Sequence, residues 1–169
     1  MRPAGFVARF LALFAVLVLA GWLTAAPRGW ATALYGAAAV SSPLLTGWNL
    51  ERRDASSGRQ EIWFRRGNSE LRLALSLPQL ALSVLPLLAL LAATPGLGGR
   101  ALASRAGLGV GVLFALDLAV VLLFPWLVGS PGALTDIVGT FLGLLTFVGA
   151  PVILWFALTF EHLRGVWRL

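Results

Sequence analysis

Apolar residues fall along this chain in four long blocks, and between the first two blocks the pattern changes to a strict two-residue alternation. The blocks run 6–26, 77–94, 107–128 and 134–160, each long enough to cross a bilayer core, which takes about 20 helical residues. Punctuation separates them. Pro95-Gly96-Leu97-Gly98-Gly99 stops the second block, and Gly129-Ser130-Pro131-Gly132-Ala133 leaves so little chain between the third and fourth that they fold back as an antiparallel hairpin. Pro78 suits the first turn of the second helix, Pro86 is expected to kink it, and the fourth block is long enough to tilt.

The alternation lies in Arg59-Gln60-Glu61-Ile62-Trp63-Phe64-Arg65-Arg66-Gly67-Asn68-Ser69-Glu70-Leu71-Arg72-Leu73. Gly67-Asn68 is a two-residue hairpin signal, because both residues accept positive φ and the resulting turn matches strand twist. Folding there sets Arg66 opposite Ser69, Arg65 opposite Glu70, Phe64 opposite Leu71, Trp63 opposite Arg72 and Ile62 opposite Leu73. One face becomes Ile62, Phe64, Leu71 and Leu73; the other carries Glu61, Trp63, Arg65, Glu70 and Arg72. The pairing predicts an Arg65–Glu70 ion pair and an Arg72–Trp63 cation–π contact. A third strand from Gly47 to Arg53 completes the segment, although no register pins it, since an isolated hairpin is marginal in water. Upstream, 30–40 reads as an interfacial helix ended by Pro43. The competing assignment makes 29–47 a fifth span and reverses the orientation of everything after it.

Composition agrees with a lipid environment. The 169 residues are 59% hydrophobic and 12% charged, with a mean hydropathy of +0.87, against about 25% charged in soluble domains. All thirteen basic residues are arginine and the formal charge is +6. They flank apolar runs in place of forming one stripe, which argues for topology signals and against nucleic acid as a partner. Arg2, Arg9, Arg100, Arg105, Arg164 and Arg168 share one side of a four-span arrangement, which is then cytoplasmic, with both termini. Seven arginines in the 27–76 connection oppose this by raw count, and their interspersed acids point instead to a folded segment. The first block also has the outline of a secretory signal, ending in Thr24-Ala25-Ala26, but its length and Pro27 after the cut favour a retained anchor.

The expected architecture is therefore an all-α polytopic membrane protein over 1–169. It has four transmembrane helices and, over 44–76, a small extracytoplasmic antiparallel β-segment between helices 1 and 2. Few residues offer chemistry. Asp117 falls mid-way along the third span, where an aspartate costs about 2.5–3.5 kcal/mol on insertion scales and needs a partner; a neighbouring hydroxyl, Thr140 or Thr146, is the candidate. Proton or cation handling is the functional alternative to such helix joining. Gly107-xxx-Gly111 and Gly139-xxx-Gly143 match the close-approach pattern of packed membrane helices. Asp136 sits at the outer edge of its helix, apart in depth from Asp117, and His162 at the final helix end is explained by the helix terminus. With no cysteine and one histidine, no catalytic set, metal site or cofactor motif is readable. Trp22, Trp30, Trp126, Trp155 and Trp167 read as interfacial anchors. Trp48 and Trp63 do not, so Ile62, Trp63, Phe64 and Arg65 are the expected contacts for a membrane-protein partner.

The order of an N-terminal anchor, a short polar β-segment, the phrase SELRLALSLPQLALSVLPLLALLAAT and a closing GTFLGLLTFVGAPVILWFAL resembles small membrane proteins associated with exosortases, particularly of the class H system. That resemblance implies a non-enzymatic accessory of a bacterial inner-membrane sorting machine whose catalytic cysteine belongs to the exosortase. The alternative function is a small transporter or channel component built around Asp117.

Overall fold

The computed structural model describes residues 3–24, 26–54, 60–73, 80, 82–128 and 133–167. Helices α1 (Pro3–Leu23) and α2 (Ala26–Leu45) precede strands β1 (Asn49–Asp54), β2 (Gln60–Arg66) and β3 (Ser69–Arg72). Helices α3 (Val84–Ala93), α4 (Gly99–Val128), α5 (Ala133–Leu144) and α6 (Ala150–Trp167) follow, with a π-helical turn at Leu145–Gly149 joining the last two. The chain is thus mainly helical with one three-stranded antiparallel sheet, ordered β1-β2-β3.

Among the described residues two helical stretches, Gly99–Val128 and Gly139–Arg164, and not the four expected, are long and apolar enough to cross a membrane; Gly5–Gly21 and Val84–Ala93 are shorter apolar helices. The second expected span is therefore reduced, among the described residues, to the ten residues of α3. Pro86 stands in the first turn of α3, where its missing N–H leaves no bond unmade and it does not kink the helix. The preceding chain turns tightly, with Ser83 N–H donating to Leu80 O and Leu85 N–H to Leu82 O. The 129–132 connection lies outside the described residues.

The region before the sheet also differs from expectation. In place of a short interfacial helix, α2 runs for twenty residues straight through Pro43. It ends beyond the proline, where Thr46 N–H and Thr46 Oγ1 both donate to Ser42 O (2.8 and 2.7 Å) and Gly47 takes φ +73°, a left-handed stop that glycine accepts without a Cβ clash. The apolar block expected at 134–160 forms α5 and α6, interrupted by the π turn. Pro151 cannot donate to Phe147 O and its ring would press on that carbonyl, and the widened turn just before it takes up the misfit.

The hairpin register is the one the alternation predicts: Trp63 pairs with Arg72, Phe64 with Leu71, Arg65 with Glu70 and Arg66 with Ser69, and Leu73 N–H donates to Ile62 O at 2.9 Å. Gly67 has φ +59° at the corner. β1 joins β2 with Leu50 opposite Phe64 and Arg52 opposite Ile62. Leu50, Ile62, Phe64, Leu71 and Leu73 form one buried layer with Ala31, Leu34 and Ala38 of α2 and Val121, Phe124 and Val128 of α4. Phe64 stacks on Phe124, ring centroids 6.2 Å apart. The sheet is therefore glued by its apolar face to the later half of α4. Arg52, which alternation puts on that same inward face, stays at its edge with its guanidinium 4.5 Å above the Tyr35 ring.

At the opposite end of α4 a second cluster, Leu87, Leu91 and Leu113, packs α3 against α4 and α6. Trp155 Nε1 donates to Thr94 Oγ1 (2.9 Å) and its ring stacks on Phe6 of α1, while His162 Nε2 donates to Pro95 O (2.8 Å). These contacts bring the start of α1, the α3–α4 turn and the end of α6 to one end of the bundle.

Candidate functional site

The outward face of the sheet gathers Glu51 and Arg53 from β1, Glu61, Trp63 and Arg65 from β2, and Glu70 and Arg72 from β3. Alternation alone puts them there, because the residues between them belong to the buried layer. Arg53 is the hub. Its two guanidinium nitrogens donate to the two carboxylate oxygens of Glu70 (3.0 and 2.6 Å), and Nη2 also donates to Glu51 (2.9 Å). To reach Glu70 from two strands away the guanidinium crosses the Trp63 ring, 4.9 Å from its centroid. Trp63 Nε1 donates to Glu61 (3.1 Å), which also accepts from Arg72 (3.2 Å), and Arg65 reaches Glu51 at 3.5 Å.

The hydrogen bonds from Arg53 hold the Glu51 and Glu70 carboxyls below the usual carboxylate range, against a smaller opposing effect of burial. The same bonds raise Arg53 further above its already high value. This network corrects the partners expected from the hairpin alone: Arg65 pairs with Glu51 and not Glu70, and the cation over Trp63 is Arg53 and not Arg72. Directly opposite residues share a row, but long side chains satisfy each other along diagonals once β1 is added.

The expected partner contacts divide. Ile62 and Phe64, only 4% and 0% exposed, lie inside the chain against α2 and α4, so they are core residues and not a docking surface. Arg65 and Arg72 stand out in solvent, each with 54% of its side chain exposed. Trp63 is half-covered by Arg53. Trp48, also expected at a contact, packs against the buried layer.

Asp117 is the second site. It is fully buried in α4, and neither threonine is its partner: Thr140 is exposed, and Thr146 turns back to Leu142 O and Gly143 O of its own helix. Instead Trp30 Nε1 of α2 donates to Asp117 Oδ2 at 3.3 Å, and the Trp30 ring meets Phe114 edge-on, centroids 5.1 Å apart. Trp30 was expected to anchor at an interface; it is a bridge between helices. Asp117 Oδ1 makes no hydrogen bond, and Ser83 Oγ, equally buried, makes none either, although Ser83 is near enough to act on the carboxyl. Spacing in the sequence could not reveal this pair, since Ser83 and Trp30 reach α4 from separate elements.

The glycine pattern is displaced. A Cβ at Gly107 or Gly111 would meet nothing within 4 Å, whereas one at Gly109 would come within 2.7 Å of Leu87 Cδ2 and 3.2 Å of Leu158 Cδ1. Close approach of α4 to α3 and α6 therefore depends on Gly109. Gly139 is buried and Gly143 partly so. The side chains of Trp22, Asp136 and Trp167 lie outside the described residues. Among described residues no group of three or more His, Cys, Asp or Glu is placed to hold a metal. The chain matches no known family model, no curated protein and no solved structure.

Proposed function

We propose that the protein is a non-enzymatic accessory or assembly subunit of the bacterial inner membrane. In this reading α1, α3, α4 and the α5–α6 helix are its four membrane segments and both termini are cytoplasmic. The sheet stands on the extracytoplasmic side and meets a membrane-protein partner, an exosortase-type sorting enzyme being the candidate its sequence resembles. The observation that carries this reading is the division of labour in the sheet. Its apolar layer is consumed by docking onto α4, and its charged layer is a braced, shape-holding surface on which Arg65 and Arg72, each ion-paired within the sheet, still have 54% of the side chain exposed. A surface stiffened by cross-strand ion pairs loses little conformational freedom on binding, which is what a docking platform needs. Packing of α1 on α3 and Trp155 supports its retention as an anchor.

The chain has no cysteine, so single introduced cysteines test the topology cleanly. Asn68→Cys is expected to react with a membrane-impermeant maleimide from outside intact spheroplasts, and Gly98→Cys only after lysis; the reverse pattern refutes the orientation. A photo-crosslinking side chain at position 65 or 72 is expected to capture a membrane protein in native membranes. Capture from Leu123 and Ile137 on the helices, with none from the sheet, would move the interface away from it.

A second reading, a small transporter or channel component, is supported by the enclosed Asp117 carboxyl with its unpaired oxygen. Asp117→Asn would then abolish proton or cation flux in reconstituted vesicles. An accessory subunit would keep its partner through that substitution.

A further inference from the structure

Two side-chain oxygens, Asp117 Oδ1 and Ser83 Oγ, are buried without a hydrogen bond, and Ser83 is near enough to act on the Asp117 carboxyl. Each is costly alone. A buried polar atom left unpaired loses its water without replacement, and a carboxylate taken fully out of water without a cation costs far more than a neutral group. Asp117 faces such a setting. Its one hydrogen bond comes from a neutral indole, and its other polar neighbour is a hydroxyl.

Charged relief is absent from every packed element that is described. α4 itself has Arg100 and Arg105 in its first two turns, α2 brings Arg28 and Tyr35, α3 and the described side chains of α5 bring no titratable group, and α6 carries Glu161, His162 and Arg164 near its far end. The sheet directs Leu50, Phe64 and Leu71 toward α4, with Arg52 turned to Tyr35. None of these acts on the Asp117 carboxyl, where only Trp30 and Ser83 do. A single hydrogen satisfies both orphaned atoms. We propose that Asp117 and Ser83 form a site for one proton, held as a carboxylic acid whose Oδ1–H donates to Ser83 Oγ while Oδ2 accepts from Trp30 Nε1. The proton comes from water and joins α2, the turn before α3 and α4 into one uncharged polar clasp. This assignment holds whichever of the two functional readings is right.

The test is infrared spectroscopy of the full-length protein in lipid nanodiscs at neutral pH. The wild type is expected to show a protonated-carboxyl C=O stretch that moves down in D2O, disappears in Asp117→Asn and moves up in Ser83→Ala as the carboxyl loses its acceptor. Because asparagine keeps one donor and one acceptor, Asp117→Asn is also expected to melt close to wild type, while Asp117→Ala melts well below it. Three results overturn the proposal: no protonated-carboxyl band in the wild type, a band that survives Asp117→Asn, or a carboxylate band that responds to sodium and not to protons. Should Asp117→Asn fail to fold, the Ser83→Ala shift decides, and an unmoved band counts against the site.

Discussion

Truncating Phe64 to alanine is the sharpest test of how the sheet is held. Phe64 is fully buried and stacks on Phe124, with Leu50 and Leu71 as its cross-strand neighbours. Removing a buried phenylalanine side chain costs about 3–5 kcal/mol, transfer and cavity terms together. Of this, about 0.5–1.5 kcal/mol is the ring–ring contact. Marginal domains hold about 5–15 kcal/mol in all, so Phe64→Ala should free the sheet from α4 without unfolding the helices. In a background that keeps Trp48 and Trp63 and replaces the five helical tryptophans, emission reads the sheet, since Trp48 packs against the same layer, and far-UV circular dichroism reads the helices. In a denaturant titration of the purified protein in detergent, the variant is expected to show a separate early tryptophan transition. Arg65→Ala, outside the layer, should leave that transition in place. A Phe64→Ala protein as stable as wild type that nevertheless fails to bind its partner would refute the packing argument and restore Phe64 as a docking residue.

Gly109→Ala places a methyl against Leu87, which is fully buried, and Leu158, and should cost about 1–3 kcal/mol of stability, while Gly111→Ala, open on its side, should not destabilise by the same melting assay. Glu51 and Glu70 have folded-state values depressed below their ordinary 4.5. Their contribution is therefore complete above that value and is lost as pH falls through the lowered folded values. Acid should loosen the sheet before the helices, as read by tryptophan emission, and Arg53→Ala should flatten that acid dependence.

The sheet was legible in the sequence because it is built from local rules. Period-two alternation and a Gly-Asn corner determine both faces and the register of the β2–β3 hairpin, down to Trp63 opposite Arg72, whereas the register of β1, and with it the ion-pair partners, had no such local signal. Its attachment was not, because apolar residues at Ile62 and Phe64 suit an internal helix and a foreign partner equally well, and only the three-dimensional path decides between them. Pro86 and Pro43 misled for one reason: a proline's meaning depends on its position in the helix, first turn or last, which apolar periodicity does not fix. The Asp117 site was half legible. Burial within a span demands a partner, but the partners come from Trp30, eighty-seven residues upstream, and from a turn whose serine has no local signature.

The depth of Asp117 in a bilayer follows from two landmarks on α4. The helix has thirty residues, about 45 Å at 1.5 Å each, and so exceeds a hydrocarbon core of about 30 Å. Arg105 and Trp126, twenty-one residues apart, are separated by about 32 Å, and both are residue types enriched at the membrane boundary, although Arg105 is only partly exposed and its Nη1 is buried. Trp126 is 67% exposed on the outer surface of the helix, as an anchor requires. On this placement the bilayer centre falls near residues 115–116 and Asp117 lies just beyond it toward the sheet. The sheet then leans on the last turns inside and at the boundary, its charged layer turned away from lipid. Nitroxides at the outward positions Leu108, Leu116 and Leu123 measure this directly: Leu116 should be the most accessible to oxygen and the least to a water-soluble nickel chelate. A maximum at Leu108 would instead place the membrane around the first two-thirds of α4, lift the sheet clear into water and bring Asp117 to the level of the boundary, leaving its burial between α2 and α4 as a matter of protein packing alone.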